Sequence, residues 1–160
     1  MAGKIIVLLV RLAVAAVFLY AGVMKIWDFR HGQSATPDFT VAIQHFEILP
    51  NPDLAVLLAV YLPWLEVTTA LTLFIKRLAL GAATAATVMS AIFLGAIGSA
   101  WARGLDIRCG CFGKDETSVP YQSHMLEDGL LLVGALILLV WEVRRHRAFV
   151  PSSEAEPPSS

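Results

Sequence analysis

Long apolar runs alternate with short polar connections along this chain. Four runs consist almost entirely of apolar residues: Ile5 to Ile26, Leu54 to Ile75, Leu78 to Trp101 and Met125 to Val143. A helix needs roughly 20 residues, at about 1.5 Å per residue, to cross a hydrocarbon core about 30 Å thick. Each run approaches or exceeds that length, so the pattern predicts four transmembrane helices.

The composition agrees with a membrane protein. Hydrophobic residues make up 57% of the 160 residues and charged residues 16%, and the mean hydropathy is +0.68; soluble domains have roughly 45–50% apolar residues. The net charge is -1 and the basic residues are dispersed, which excludes the nucleic-acid-binding class. We therefore predict an all-α membrane protein surrounded by lipid: a four-transmembrane-helix bundle at residues 1–143, then a basic stop and a disordered cytoplasmic tail at 144–160.

The basic residues that flank the runs predict the orientation in the membrane. Lys4 precedes the first run, Lys76 and Arg77 connect the second and third, and Arg144 to Arg147 follow the fourth. Because such flanks stay in the cytoplasm, both termini are predicted to be cytoplasmic. The two longer connections then face outward, which means the periplasm if the membrane is the inner membrane of a Gram-negative bacterium.

The first outer connection contains a helical pattern of its own. Thr36 and Pro37 are predicted to be its N-cap and first helical residue, and Pro50 stops it. Apolar residues recur between these limits at helical spacing: Phe39, Ala42, Ile43, Phe46 and Leu49. The pattern predicts a short amphipathic helix on the outer membrane surface.

Charged residues inside the apolar runs are costly and need partners. If the ends of the first two runs are level, Arg11 and Glu66 differ in depth by only about 4–5 Å, so we expect them to pair. Lys25 and Asp128, near the outer ends of the first and fourth runs, are the second expected pair. Two interpretations of Glu66 are open: a proton carrier or part of a substrate site, and a structural clasp between helices.

Two further features of the runs leave alternatives open. Tyr20 and Trp64 could line a pocket for a quinone, the one cofactor that we consider, or for a lipid; ordinary interhelical packing is the alternative. The third run is rich in Ala, Gly, Ser and Thr, which let membrane helices approach closely. This helix is therefore predicted to be central in the bundle or to contact a partner, including a second copy of the chain.

The two cysteines of the chain lie together in the second outer connection. Cys109 and Cys111, in the sequence RCGCFG, are separated by one glycine. A disulfide in so small a ring cannot easily reach relaxed geometry and is readily reduced, and Arg108 favours the thiolate, so we predict an exchange-active dithiol. Two alternatives remain: a Cu(I) or shared metal site completed by His124 or a second subunit, and a local disulfide that pins the loop.

One cysteine pair indicates that a second protein supplies another dithiol, such as a periplasmic thioredoxin-like domain. The chain would then be a component of a thiol-disulfide oxidoreductase, although its sequence leaves open whether it is an enzyme itself. The main rival is a small-molecule or ion transporter or channel subunit that uses Glu66 and Arg11. A non-catalytic membrane scaffold is the third alternative.

Three segments together resemble a known family: RLAVAAVFLYAGVMKIWD in the first run, YLPWLEVTTALTL in the second, and RCGCFG before the last. They are similar to the MauE branch of the DoxX-like membrane proteins. The resemblance implies a four-helix bundle in the inner membrane, tied to methylamine utilisation. It also implies a thioredoxin-like partner, MauD, and a role in maturing the disulfide-rich small subunit of methylamine dehydrogenase.

The resemblance also assigns residues by position. Cys109 and Cys111 correspond to a redox pair. Arg11, Lys25 and Glu66 correspond to polar positions within the membrane, whose role the resemblance does not specify.

Overall fold

The computed structural model describes residues 2–28, 33–48, 50–104 and 121–149. In these ranges the chain forms five α-helices and one pair of two-residue strands. The elements in chain order are α1 (Ala2–Ile26), β1 (Trp27–Asp28), β2 (Gln33–Ser34), α2 (Thr36–His45), α3 (Pro52–Thr72), α4 (Ala79–Ala102) and α5 (Tyr121–Phe149). The predicted tail lies largely outside the described residues, so the boundary of the membrane domain stays a prediction.

The long helices confirm an all-α membrane fold. By length and composition, three helices of the described chain are able to cross a membrane: Gly3–Ile26, Pro52–Thr72 and Ala79–Ala102. The fourth predicted run lies within α5, which has 29 residues and continues through the basic cluster to Phe149. The apolar middle of α5 is flanked by acidic residues, Glu127 and Asp128 on one side and Glu142 on the other.

The four long helices form a bundle in which each has two main neighbours. The most extensive contacts join α4 to α5 and α1 to α3, and further contacts join α1 to α5 and α3 to α4. Phe18, Leu73 and Leu138 are the largest apolar side chains that are fully buried. The small residues of α4 confirm the predicted close packing, since these alanines are buried: Ala79, Ala82, Ala83, Ala86 and Ala100.

The closest approach of α1 to α3 sets their relative positions along the bundle. A Cβ atom on Gly22 would lie 2.8 Å from the carbonyl oxygen of Pro63 and 2.9 Å from Cγ2 of Val67. Gly22 is therefore level with the middle of α3, and the first turns of α3 extend past the last turn of α1. Ala55 and Ala59 in these turns are fully buried.

Helix α2 packs against α3 and α1, with Phe39 and Ala42 buried. We call the end of the bundle at which α2 lies the α2 end. The predicted start of α2 is wrong by one residue: the N-cap is Ala35 and makes no side-chain cap bond, and Thr36 is already helical. The hydroxyl of Ser34, at the end of β2 and two residues before Thr36, accepts a 3.4 Å hydrogen bond from the backbone N–H of Thr36.

Helix α2 also ends earlier than predicted. Its last residue is His45, and Glu47 has a φ of 50°, in the left-handed region, which ends the helical path. Leu49 lies outside the described residues. At the next helix start the side chain of Asn51 accepts a 3.1 Å hydrogen bond from the Asp53 N–H, which caps α3.

At the opposite end of the bundle, α3 stops at Thr72 instead of continuing to Ile75. The chain then turns through residues 73–78 into α4. Nη1 of Arg11 donates a 3.1 Å hydrogen bond to the carbonyl oxygen of Leu73. This bond satisfies one of the carbonyls that a helix C-terminus leaves without an intrahelical donor.

Candidate functional site

The predicted redox pair, Cys109 and Cys111, lies outside the described residues. His124, the metal ligand considered beside it, belongs to α5, but its side chain is outside the description. The helix ends on either side of the pair are described. Helix α4 ends at Ala102 and α5 begins at Tyr121, and both ends belong to the α2 end of the bundle. The connection that carries the cysteines therefore joins two helix ends at this end of the bundle.

Arg103 joins the end of α4 to the end of α2. Its guanidinium donates to the carbonyl oxygens of Phe46 and Glu47, and its Nε donates to the carbonyl oxygen of Ser99 at 3.2 Å. Arg103 precedes Cys109 by only six positions in the sequence. A positive charge is thus held at the point where the cysteine-bearing connection leaves the bundle.

The buried ion pair nearest the α2 end joins Lys25 of α1 to Glu66 of α3. Nζ of Lys25 donates to Oε1 of Glu66 at 2.5 Å, and the side chains are 3% and 0% exposed. Removing one partner of such a pair costs about 3–5 kcal/mol, because the other charge is left buried. The pair therefore fixes the contact between α1 and α3 strongly.

Two aromatic rings complete the surroundings of the Lys25 ammonium. Its Nζ lies 5.3 Å from the ring centre of Phe39 on α2 and 5.2 Å from that of Phe93 on α4. Both distances are within the range of a cation–π interaction. Lys25 therefore connects α1, α2, α3 and α4 through one charged group, a role that the apolar pattern of Phe39 and Phe93 did not reveal.

The predicted pair of Arg11 with Glu66 is wrong. Glu66 lies beside Gly22, which is eleven residues after Arg11, or roughly 16 Å along α1. The prediction assumed that the ends of the first two apolar runs are level. The contact of Gly22 with α3 instead shifts α3 toward the α2 end, so the two charges lie at different depths.

Arg11 forms its own buried ion pair, with Glu142 of α5. Arg145, one turn further along α5, lies 3.4 Å from the other carboxylate oxygen of Glu142. Sequence reasoning missed Glu142, the last residue but one of the fourth apolar run, and named no partner for it. Arg11 lies near the predicted cytoplasmic end of the first run, and Glu142 lies near the predicted cytoplasmic end of the fourth. This similar depth is the signal that could have indicated the pair.

Asp128 contributes to the site from α5. Together with Lys25 and Glu66 it lines a cavity of about 30 Å³ between α1, α3, α4 and α5. The ion-pair partner that the structure describes for Lys25 is Glu66, and the expected pair of Lys25 with Asp128 stays a prediction, although both residues line the same cavity. Such a cavity holds one or two water molecules and is far below the roughly 300 Å³ of ordinary ligand pockets.

Tyr20 and Trp64 are not part of this centre. Their exposed fractions are 53% and 57%, so both rings lie on the outside of the bundle. Neither residue lines the cavity beside Glu66, and the alternatives of a quinone or lipid pocket and of interhelical packing stay predictions. Among the described residues no group of three His, Cys, Asp or Glu side chains is placed to hold a metal ion.

The fold and the site define a multi-pass membrane protein: a four-helix bundle with a buried ion pair toward each end. A family model described as methylamine utilisation protein MauE matches residues 3–141. The chain belongs to the MauE family, which confirms the family predicted from its three segments. No curated protein and no solved structure matches the chain.

Proposed function

We propose that this chain is a membrane thiol-disulfide exchange protein that serves a periplasmic thioredoxin-like partner during protein maturation. The observation that carries the proposal is the pair Cys109 and Cys111, the only cysteines of the chain, within the segment that the family model matches. The family's description gives methylamine utilisation as the setting. Maturation of a disulfide-rich enzyme subunit is a task in that setting which requires such exchange.

The placement of the flanking helices supports this function. The connection with the cysteines joins helix ends at the α2 end of the bundle, whereas the opposite end holds Lys76, Arg77 and the cluster Arg144 to Arg147. With the basic end in the cytoplasm, the α2 end faces the oxidising side of the inner membrane. The cysteines would then be accessible to a periplasmic partner.

The proposed reaction is a disulfide exchange. A thiolate of the Cys109–Cys111 pair attacks a partner disulfide and forms a mixed disulfide, and one partner sulfur leaves as a thiolate. The second cysteine then attacks the mixed disulfide and releases the partner as a dithiol. The chain's dithiol is oxidised by two electrons and the partner's disulfide is reduced by two; the reverse sequence transfers the electrons the other way.

The transporter alternative loses its main argument. It relied on Arg11 and Glu66 acting at one mid-membrane site, but Glu66 lies beside Gly22, which is roughly 16 Å from Arg11 along α1. Each is paired with another residue, Arg11 with Glu142 and Glu66 with Lys25. Two separately neutralised pairs favour an architectural use of these charges over a common substrate site.

The test is a redox titration of the cysteines in native membranes. Differential alkylation with a membrane-impermeant maleimide across a series of thiol redox buffers should show reversible oxidation from the outer face. Cys109→Ser and Cys111→Ser should each abolish the intramolecular disulfide, and one of them should accumulate a mixed disulfide with the partner. Glu66→Gln serves as the comparison, since the transporter alternative predicts that this change, and not cysteine loss, removes function. Full activity of the double cysteine variant would refute the proposal.

A further inference from the structure

Glu66 and Glu142, the two buried carboxylates among the described residues, differ in how many of their oxygen atoms have a partner. Both oxygens of Glu142 have cationic partners, Arg11 and Arg145. Glu66 is 0% exposed, and only its Oε1 is paired, with Lys25; Oε2 is buried without a hydrogen-bond partner among the described residues. Burying a carboxylate oxygen without a hydrogen bond costs free energy, so we expect Oε2 to accept a hydrogen bond from a further group.

The cavity beside Glu66 has the size and the polar groups to supply that ligand. Its volume of about 30 Å³ accommodates one or two water molecules. Glu66, Lys25 and Asp128 all line it and provide the two to four polar partners that a buried water needs. On α4, Ser90 lies one turn before Phe93, and its buried hydroxyl is also without a partner among the described residues.

Asp128 connects the cavity to the α2 end. It is half-buried and is the lining residue on α5 nearest the start of that helix; Leu131 lines the cavity one turn further in. A carboxylate and a water at these positions form a short chain of groups that can pass a proton. We propose that Glu66 faces an internal water site and exchanges a proton with the α2 end of the bundle through Asp128.

Proton uptake changes the charge of the centre by one. The proton enters from water at the α2 end and forms an O–H bond at the Glu66 carboxylate, which leaves the Lys25 ammonium beside two aromatic rings and a neutral acid. Helix α4 contributes the ring of Phe93 to these surroundings. The charged and titratable groups on the other elements packed against Glu66 are Lys25 on α1, Asp128 on α5 and, exposed on α2, Asp38 and His45.

Infrared difference spectroscopy tests the site directly. The full-length protein in phospholipid nanodiscs is brought to successively lower pH in H₂O and then transferred to D₂O. We expect a carboxylic acid C=O band that appears reversibly on acidification and shifts in D₂O. Glu66→Gln should remove this band, and the matched variant of the other buried acid, Glu142→Gln, should retain it. Asp128→Asn should slow its deuterium shift severalfold.

The same measurement can overturn the proposal. Because other Asp and Glu side chains of the chain also give C=O bands on acidification, the decisive signal is the component that differs between the unchanged protein and Glu66→Gln. Identical acid-induced spectra of these two proteins would show that Glu66 takes up no proton. If Glu66→Gln does not fold, Glu66→Asp keeps a carboxyl group and should show the band at a shifted frequency; an unshifted band there also refutes the assignment. The site does not depend on thiol exchange, so the double serine variant of Cys109 and Cys111 should retain the band.

Discussion

Adding one methyl group at Gly22 tests the contact that sets the position of α1 against α3. The new Cβ would lie 2.8 Å from the carbonyl oxygen of Pro63, 2.9 Å from Cγ2 of Val67 and 3.2 Å from Cβ of Glu66. Ordinary carbon–oxygen contacts begin at roughly 3.3 Å, so the first distance is short by roughly 0.5 Å. The oxygen belongs to the backbone of α3 and cannot rotate away, so the helices themselves have to separate.

The magnitude follows from two opposing effects. Replacing Gly by Ala within a helix is favourable by about 1 kcal/mol through helix propensity. Overpacking at a close contact costs about 1–3 kcal/mol. Because the obstacle at Gly22 is a backbone atom, we expect the upper part of that range and a net destabilisation by Gly22→Ala of about 1–2 kcal/mol. The Lys25–Glu66 ion pair, next to the contact, would be stretched as well.

The assay is reversible unfolding in mixed micelles with increasing sodium dodecyl sulfate, followed by circular dichroism. Gly98→Ala on α4 is the control, because a Cβ there meets no atom within 4 Å, and this variant should be as stable as the unchanged protein or more stable. Gly134→Ala should fall between the two, since its only close neighbour is the movable Cγ2 of Val14 at 3.0 Å. Equal free energies of unfolding for Gly22→Ala and Gly98→Ala would refute the argument.

Two further predictions concern the charged centre near the α2 end. Lys25→Met should destabilise the protein by about 3–5 kcal/mol, because it leaves the Glu66 charge buried alone. The double variant Lys25→Met, Glu66→Met should recover much of that loss. Additive losses of the two single variants in the same unfolding assay would contradict the pairing. Phe39→Ala removes a buried ring that also covers Lys25, so it should weaken the packing of α2 against the bundle. The expected loss in free energy of unfolding is about 3–5 kcal/mol, as for a fully buried Phe. Hydrogen exchange measured by mass spectrometry should then accelerate in α2 but not in α3, and Val41→Ala, on the exposed side of α2, should leave exchange unchanged.

The sequence pointed to much of the charged site without giving its pairs. Arg11, Lys25 and Glu66 stand out because any charge in an apolar run is costly and needs a partner. Which partner each finds depends on the relative depth of the helices, and Gly22 sets that depth by a close contact with Pro63 that only the packed structure reveals.

Helix ends illustrate the same division. The start of α2 was predicted to within one residue, because Pro37 is suited to the first helical turn. Its cap was misassigned: the N-cap is Ala35, and the Thr36 N–H donates to the hydroxyl of Ser34, two residues earlier. The end of α3 was placed three residues too late, at Ile75 instead of Thr72. The hydrogen bond from Arg11 to the carbonyl oxygen of Leu73 at this end joins groups 62 positions apart, so the apolar run itself gives no sign of it.

The sequence by itself determined that the chain crosses a membrane in helices, because the length and hydrophobicity of a run are local properties. It also determined that the few charges within the runs need partners in other helices, because an unpaired charge in hydrocarbon is costly. Only the tertiary structure decided which charges meet and where a cavity remains. Lys25 on α1 reaches Glu66, Phe39 and Phe93 on three other helices. Contacts between such distant segments follow from how surfaces pack, and surface packing has no periodic signal along a chain.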